Sequence, residues 1–170
     1  MPARRRGLDD LDLRVLRLVA DRPRSGLLEI ARLLGVARGT VQARLDRMAA
    51  DGVITDYGPN LSPAALGYPV QAFTTLEVEQ AAREHISNTL ASIPELLEAC
   101  IVTGPGDVWC RVAGRDNEHV QRVIDRMLTI PGVRRSTTVI ALSTVVGHRV
   151  LPLAAADRQV PGSCQPPPRP

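Results

Sequence analysis

The sequence has no lysine: all 21 basic residues are arginine. Aromatic side chains are nearly missing too, with Tyr57, Tyr68, Phe73 and Trp109 as the whole set. So few rings argue against a single-strand nucleic-acid binder, which stacks bases on aromatic platforms. No apolar run approaches the ~20 residues needed to span a bilayer. The longest candidate, Val139 to Val146, is broken by Ser143 and Thr144. The basic start, Met1 to Arg6, is followed by Asp9, Asp10 and Asp12, where a secretory signal needs an apolar core. A cytoplasmic protein without membrane contact is therefore expected. The three cysteines, Cys100, Cys110 and Cys164, form no CxxC pair and have no histidine cluster beside them. They read as buried thiols and one tail thiol, not as a zinc site or a disulfide framework. No Ser/His/Asp set, metal-ligand spacing or phosphate loop is found, so no catalytic residue and no cofactor is expected.

What is present is the balance of a soluble globular chain: 44% hydrophobic and 23% charged over 170 residues, enough for one ordinary domain or two small ones. The net charge of +3 is small, but it is unevenly placed. Residues 1–60 hold eleven arginines against eight acidic residues, and residues 61–170 hold ten against ten. All the excess positive charge sits in the first third, which points to a polyanion-binding module followed by a neutral one.

The first third reads as three helices and a small strand pair. Leu11, Val15, Leu16 and Val19 recur at helical spacing, with Asp9 or Asp10 as N-cap and Pro23 closing the helix. A second helix begins after Gly26, carries Ile30, Leu33 and Leu34 on its apolar face, and stops at Gly35. A third runs from about Arg38 to Ala50 with Val41, Leu45 and Met48 inward, and Gly52 ends it. Val53 to Tyr57 and a segment around Asn60-Leu61 read as a hairpin, the wing of a winged helix-turn-helix. The outer face of the third helix offers Arg38, Gly39, Thr40, Gln42, Ala43, Asp46, Arg47 and Ala50. Small residues admit a helix to the ~12 Å major groove, while Arg and Gln make bidentate pairs with guanine and adenine. Arg38, Thr40, Gln42 and Arg47 are the candidate base readers; Arg44 and the arginines near 22–24, Arg24 among them, are candidate phosphate contacts. The competing reading makes Arg38, Arg44 and Arg47 an ordinary solvated face.

From Tyr68 onward the order becomes strand, helix, strand, strand, helix, strand. Val70 to Val78 alternates; Ala81 to Ile93 is helical with Ile86, Leu90 and Ile93 inward; Leu96 to Thr103 and Asp107 to Ala113 flank the turn Gly104-Pro105-Gly106. Asn117 to Leu128 is a helix packing Val120, Val123, Ile124, Met127 and Leu128, and Val133 to Val146 is the last strand. This βαββαβ order is ferredoxin-like, so the fold class is α+β. Helices cover one face of such a sheet, leaving Asp107, Trp109, Arg111 and Ala113 of the third strand, with Phe73 and Thr75 of the first, on the other. A second copy is the simplest cover, giving a homodimer with room for assembly to a tetramer or octamer. The expected boundaries are a flexible basic arm over 1–7, the DNA-binding domain over 8–62, a linker over 63–69, the ferredoxin-like domain over 70–150, and a Pro-rich disordered tail over 151–170. The arm's arginines either seek phosphates or form an inert terminus. His85 and His119 are expected on solvated helix faces, and His148 in a mobile segment.

Taken together and in this order, several segments resemble the Lrp/AsnC (feast/famine) family of bacterial and archaeal regulators. They are Leu8-Asp9-Asp10-Leu11-Asp12-Leu13-Arg14-Val15-Leu16, Glu29 to Val36, Thr40 to Met48 with Gly52-Val53-Ile54, and Val102-Thr103-Gly104-Pro105-Gly106-Asp107. The resemblance covers roughly Leu8 to Val146. It implies a transcription factor whose partners are double-stranded DNA, further copies of itself and a small effector, commonly an amino acid. It also implies an effector pocket at the Gly-x-x-Asp turn, here Gly104 and Asp107 with Gly106, and with Thr103 and Thr138 as further candidates. Backbone N–H groups in a glycine turn can hold a carboxylate and an aspartate can hold an ammonium; equally, the glycines can serve only the turn and Asp107 only cap it. Family members often cap the recognition helix with Ser or Thr, where this chain has Ala37. Two other functions fit the architecture. One is a sirohaem-decarboxylase-like enzyme, which needs histidine and arginine around a tetrapyrrole; the other is an architectural DNA-binding oligomer.

Overall fold

A computed structural model describes residues 7–156 of the chain. The rest of the expected arm and most of the expected tail, with Cys164, lie outside the described residues, as does the side chain of His85. The chain divides into two units, at Gly58/Pro59 and again at Val146/Gly147, so that the segment after the sheet domain rejoins the amino-terminal unit.

The amino-terminal unit holds α1 (Asp10–Asp21), α2 (Leu27–Leu34) and α3 (Arg38–Ala50). Asp9 is the N-cap of α1, and with Asp12 it closes a reciprocal capping box: each carboxylate accepts the other's backbone N–H at 2.9 Å. Gly26 caps α2 without a side-chain bond, and Gly35, at φ 69°, turns the chain out of it in the left-handed conformation that glycine adopts at no steric cost. Ala37 is the N-cap of α3 and offers no side-chain hydrogen bond. Val15, Ile30, Ala31, Leu34, Val41, Leu45 and Met48 form the core. The buried face of α1 is rotated from the expected one: Asp12, Leu13 and Val15 are buried, while Leu11, Leu16 and Val19 pack partly exposed at the rim.

Two expectations about this unit need correction. Residues 51–61 contain no strand, so the segment expected to form a hairpin pairs with no second strand. Val53 and Ile54 instead tie back to α3, both donating N–H to the Met48 carbonyl. Residues 151–156, expected to open a disordered tail, form the short helix α6 (Leu151–Ala156), which contacts α1.

The second unit is a four-stranded sheet with two helices on one face. Its strands are β1 (Val70–Val78), β2 (Leu96–Ile101), β3 (Val108–Gly114) and β4 (Val133–Ala141). The helices are α4 (Arg83–Ala91), entered through a 3-10 turn at Gln80–Ala82, and α5 (Asn117–Leu128). The strand order is β2-β3-β1-β4, and every neighbouring pair is antiparallel. Each β-α-β crossover therefore straddles one intervening strand, the split arrangement expected from the element order. Alternation works as read: Ala72, Thr74, Leu76 and Val78 of β1 are buried, as are Val108, Cys110 and Val112 of β3. Leu76, Val78, Val108, Cys110 and Val112 share a core with Ile86 and Leu90 of α4, Ile93 after it, and Val123 and Met127 of α5, while Ala72 packs with Val120 and Ile124 of α5. β4 ends at Ala141, five residues short of the expected Val146. Leu142 and Val145 beyond it are almost wholly exposed, because no strand or helix covers them. Leu128, expected in the core, lies on the exposed edge of α5.

Candidate nucleic-acid interface and effector turn

The outer surface of α3 begins at an exposed corner. Arg38, Gly39, Thr40, Gln42 and Ala43 are all exposed, and apart from Arg38 and Gln42 none has a long side chain. Gln42 donates its side-chain N–H to Asp46 Oδ1 at 2.7 Å, one turn on, so it must exchange that partner before offering both amide atoms elsewhere. Arg24 is exposed in the turn between α1 and α2, and neighbouring Arg22 pairs with Glu29 at 3.4 Å.

Arg44 and Arg47 are placed differently from the expectation that one holds a phosphate and the other reads a base. Arg44 Nη1 lies 2.6 Å from Asp9 Oδ2 and 2.7 Å from Asp12 Oδ1. Arg47 Nη2 lies 2.6 Å from Asp12 Oδ2. The carboxylate they share is completely buried, at 0% exposure, on α1. Both arginines therefore reach across to the capping box that starts α1 rather than standing out from α3. Above them runs a groove lined by Gly7, Asp9, Gly39, Thr40, Ala43, Arg44 and Arg47. The Arg44 guanidinium hydrogen-bonded to Asp9 holds that carboxyl down at about 2. At Asp12 burial works to raise the pKa, but hydrogen bonds from Arg47, the Asp9 backbone and Arg44 outweigh it, and the net shift is downward. Asp9 was legible as a helix cap, but neither it nor Asp12 as an arginine partner, since sequence spacing says nothing about which α1 residues face α3.

In the sheet unit the Gly104–Asp107 turn is tightly built. Gly104 (φ 112°) and Gly106 (φ 94°) both lie in the region that favours glycine. A Cβ on Gly106 would come within 2.2 Å of Thr75 Cγ2, so glycine is required there for space as well as for backbone conformation. Asp107 Oδ2 accepts the Val78 N–H at 2.8 Å, and its own N–H donates to the Leu76 carbonyl at 2.8 Å. The aspartate thus locks the turn to the end of β1. Thr103 is exposed in the same loop. Thr138 is partly buried and shares a 2.9 Å hydroxyl contact with Thr74, whose side chain is on the helix-covered face. Gly104, Gly106 and Asp107 are brought together; Thr138 lies elsewhere, paired with the middle of β1.

On the face without helices, Phe73 and Trp109 stack at 5.4 Å with an interplanar angle of 19°. Register places Phe73 opposite Arg111 on one side and Val139 on the other, and Val139 is 60% exposed. Cys100 is exposed, while burial pushes the Cys110 thiol up to about 11, leaving it protonated and inert.

His119, expected on a solvated face, is buried: its Nδ1 accepts the Arg115 N–H at 3.2 Å and its Nε2 meets Glu95 Oε1 at 3.1 Å. Arg126 holds the other Glu95 oxygen at 2.6 Å. Burial alone would raise the Glu95 pKa, and Arg126 with His119 brings it below its ordinary value instead. His148 is exposed in the other unit. Among the described residues no cluster of His, Cys, Asp or Glu could hold a metal ion, and no helix is long and apolar enough to cross a membrane.

Comparison with known proteins bears on both units. Residues 8–55 match a winged helix-turn-helix DNA-binding family, and residues 71–151 match the Lrp/AsnC ligand binding domain. An uncharacterized HTH-type transcriptional regulator of Pyrococcus abyssi is 34% identical over 137 residues, covering 80% of this chain and 87% of the relative. The chain belongs to the Lrp/AsnC family. HTH-type transcriptional regulator FL11 of Pyrococcus horikoshii is 28% identical over 86% of this chain and 97% of its own length. The solved structure of Escherichia coli AsnC superposes with a TM-score of 0.78 at 28% identity, covering 85% of this chain and 99% of that one. The molecule is thus a transcriptional regulator of Lrp/AsnC type, with a winged helix-turn-helix DNA-binding unit and a ligand-binding unit of α+β fold.

Proposed function

We propose that this Lrp/AsnC protein is a cytoplasmic, sequence-specific regulator that reads duplex DNA with the first turns of α3 and responds to a small metabolite, an amino acid or a relative of one. The observation that carries the reading is the surface at Arg38, Gly39, Thr40, Gln42 and Ala43. It is exposed and mostly small-chained, with one arginine at the leading edge. Such a surface lets a helix approach base edges closely, with Arg38 and Gln42 able to make bidentate contacts and Arg24 placed for the backbone.

Two copies joined through the helix-free sheet face would present two such helices to one duplex and predict a pseudo-palindromic site. The stacked Phe73–Trp109 pair with exposed Val139 beside it supports that joint, since apolar surface of this kind gains from being covered. For the effector, the backbone of Thr103, Gly104 and Gly106 offers a carboxylate the N–H groups of a glycine turn. Asp107 secures that turn rather than standing ready as a ligand, and Thr138 contributes only if the pocket reaches the helix side of the sheet.

The test is a thermal-shift screen of amino acids and related metabolites, followed by duplex binding with any hit. A binding effector raises the melting temperature by mass action and changes DNA affinity. A stabilising compound that leaves DNA affinity unchanged at saturation would count against coupling between the two units.

A further inference from the structure

The charge cluster beneath α3 carries one step more, and it rests on the DNA-binding reading above. We infer that Arg44, Arg47, Asp9 and Asp12 are positioning residues. They clamp the recognition helix onto the start of α1 and set how Arg38, Thr40 and Gln42 are presented, without themselves reaching the duplex.

Every strong acceptor in the cluster is used. Asp12 Oδ1 accepts from Arg44 at 2.7 Å, and its Oδ2 accepts the Asp9 backbone N–H at 2.9 Å and faces Arg47 Nη2 as an ion pair at 2.6 Å, without hydrogen-bond geometry. Asp9 takes Arg44 on both oxygens, at 2.7 and 2.6 Å, while its Oδ1 also accepts the Asp12 N–H at 2.9 Å. Two arginines three residues apart on α3 therefore converge on one buried carboxylate of α1. That carboxylate is itself fixed by the capping box, so helix start and helix crossing form one rigid bonded unit. A guanidinium so engaged is a poor phosphate ligand: leaving Asp12 for DNA would strand a fully buried charge. Asp9, Arg44 and Arg47 border the groove formed with Gly39, Thr40 and Ala43, so any shift of the clamp moves the reading surface directly.

Positioning and direct contact differ in salt dependence. Each lost phosphate contact lowers the slope of log affinity against log salt by about 0.9, whereas a misplaced helix weakens binding with little change of slope. The experiment uses the full chain on its operator duplex and a random duplex, at temperatures where circular dichroism shows each variant folded. Arg47→Gln and Asp12→Asn should each weaken operator binding about tenfold or more, at an unchanged slope, with the operator-to-random ratio falling. The double variant should lose little more than either single one, because both break the same link. Asp9→Asn, at an exposed position that tolerates the change, should cost severalfold with the slope unchanged, and it serves if Asp12→Asn does not fold. Arg24→Ala, at the exposed candidate phosphate contact, provides the contrast, with a lower slope. A slope reduced by about one unit in Arg47→Gln, tighter binding in Asp12→Asn or Asp9→Asn, or no change of affinity in any of these three overturns the inference alone. Failure of the unaltered chain to prefer any duplex would instead sink the DNA-binding reading, and the inference with it.

Discussion

Asp12 is the one fully buried carboxylate among the described residues of the amino-terminal unit, and a carboxylate with no solvent exposure must be compensated wholly from within. Its partner Asp9 supplies a readable consequence. The Asp9 pKa falls from 3.8 to about 2 on folding, chiefly through the Arg44 hydrogen bond, and that of Asp12 falls too. Groups depressed in the folded state contribute stability above their unfolded pKa and lose it as pH falls through the folded one. Urea melts at a series of pH values should therefore show stability steady above about pH 4 and declining from there toward pH 2. In Asp9→Asn that decline should be shallower; an identical acid profile would show that the Asp9–Arg44 pair adds nothing, as many exposed pairs do. At this scale the sequence was only partly readable. Asp9 as a helix cap and Gly104 and Gly106 as turn formers follow from local rules. The inward swing of Arg44 and Arg47, the burial of His119 against Glu95 and the anchoring of Asp107 to Val78 depend on residues 29 to 35 or 24 positions away, which periodicity does not register.

Among the elements, α3 is set by packing rather than by its ends. Val41, Leu45 and Met48 are buried, while Ala37 leaves the first N–H groups of the helix without a side-chain acceptor. A hydroxyl at that position is worth about 1 kcal/mol. Ala37→Ser should accordingly raise stability by about that amount in chemical denaturation. No gain would mean that the first turn is already satisfied by other groups. The helix spans were legible because each has a run of apolar residues at 3.6 spacing closed by glycine or proline, and α3 and α5 match their expected bounds. Strand ends were harder. β4 was overread because Leu142 to Val146 has strand-forming residues, yet no neighbour pairs with them. The hairpin after α3 was overread for a related reason: Val53 and Ile54 satisfy their N–H groups on the Met48 carbonyl instead of on a partner strand.

For the whole molecule, the chain divides into two units close to where the arginine excess of the sequence ends, and the order of strands and helices pointed to the second fold. The helix-free face bearing the stacked Phe73 and Trp109 is the proposed joint between copies. Trp109→Glu should convert an assembled species to monomer in light scattering at micromolar concentration and weaken operator binding sharply, because two linked helices bind one duplex far better than one. A variant that stays assembled would place the joint elsewhere. The central claim, that α3 reads a discrete sequence, is met most directly by footprinting the protein on the duplex upstream of its own coding region. The account predicts a bounded, pseudo-palindromic protected site that is lost in Arg38→Ala; diffuse coverage without preferred bases, or protection unchanged by Arg38→Ala, would contradict it.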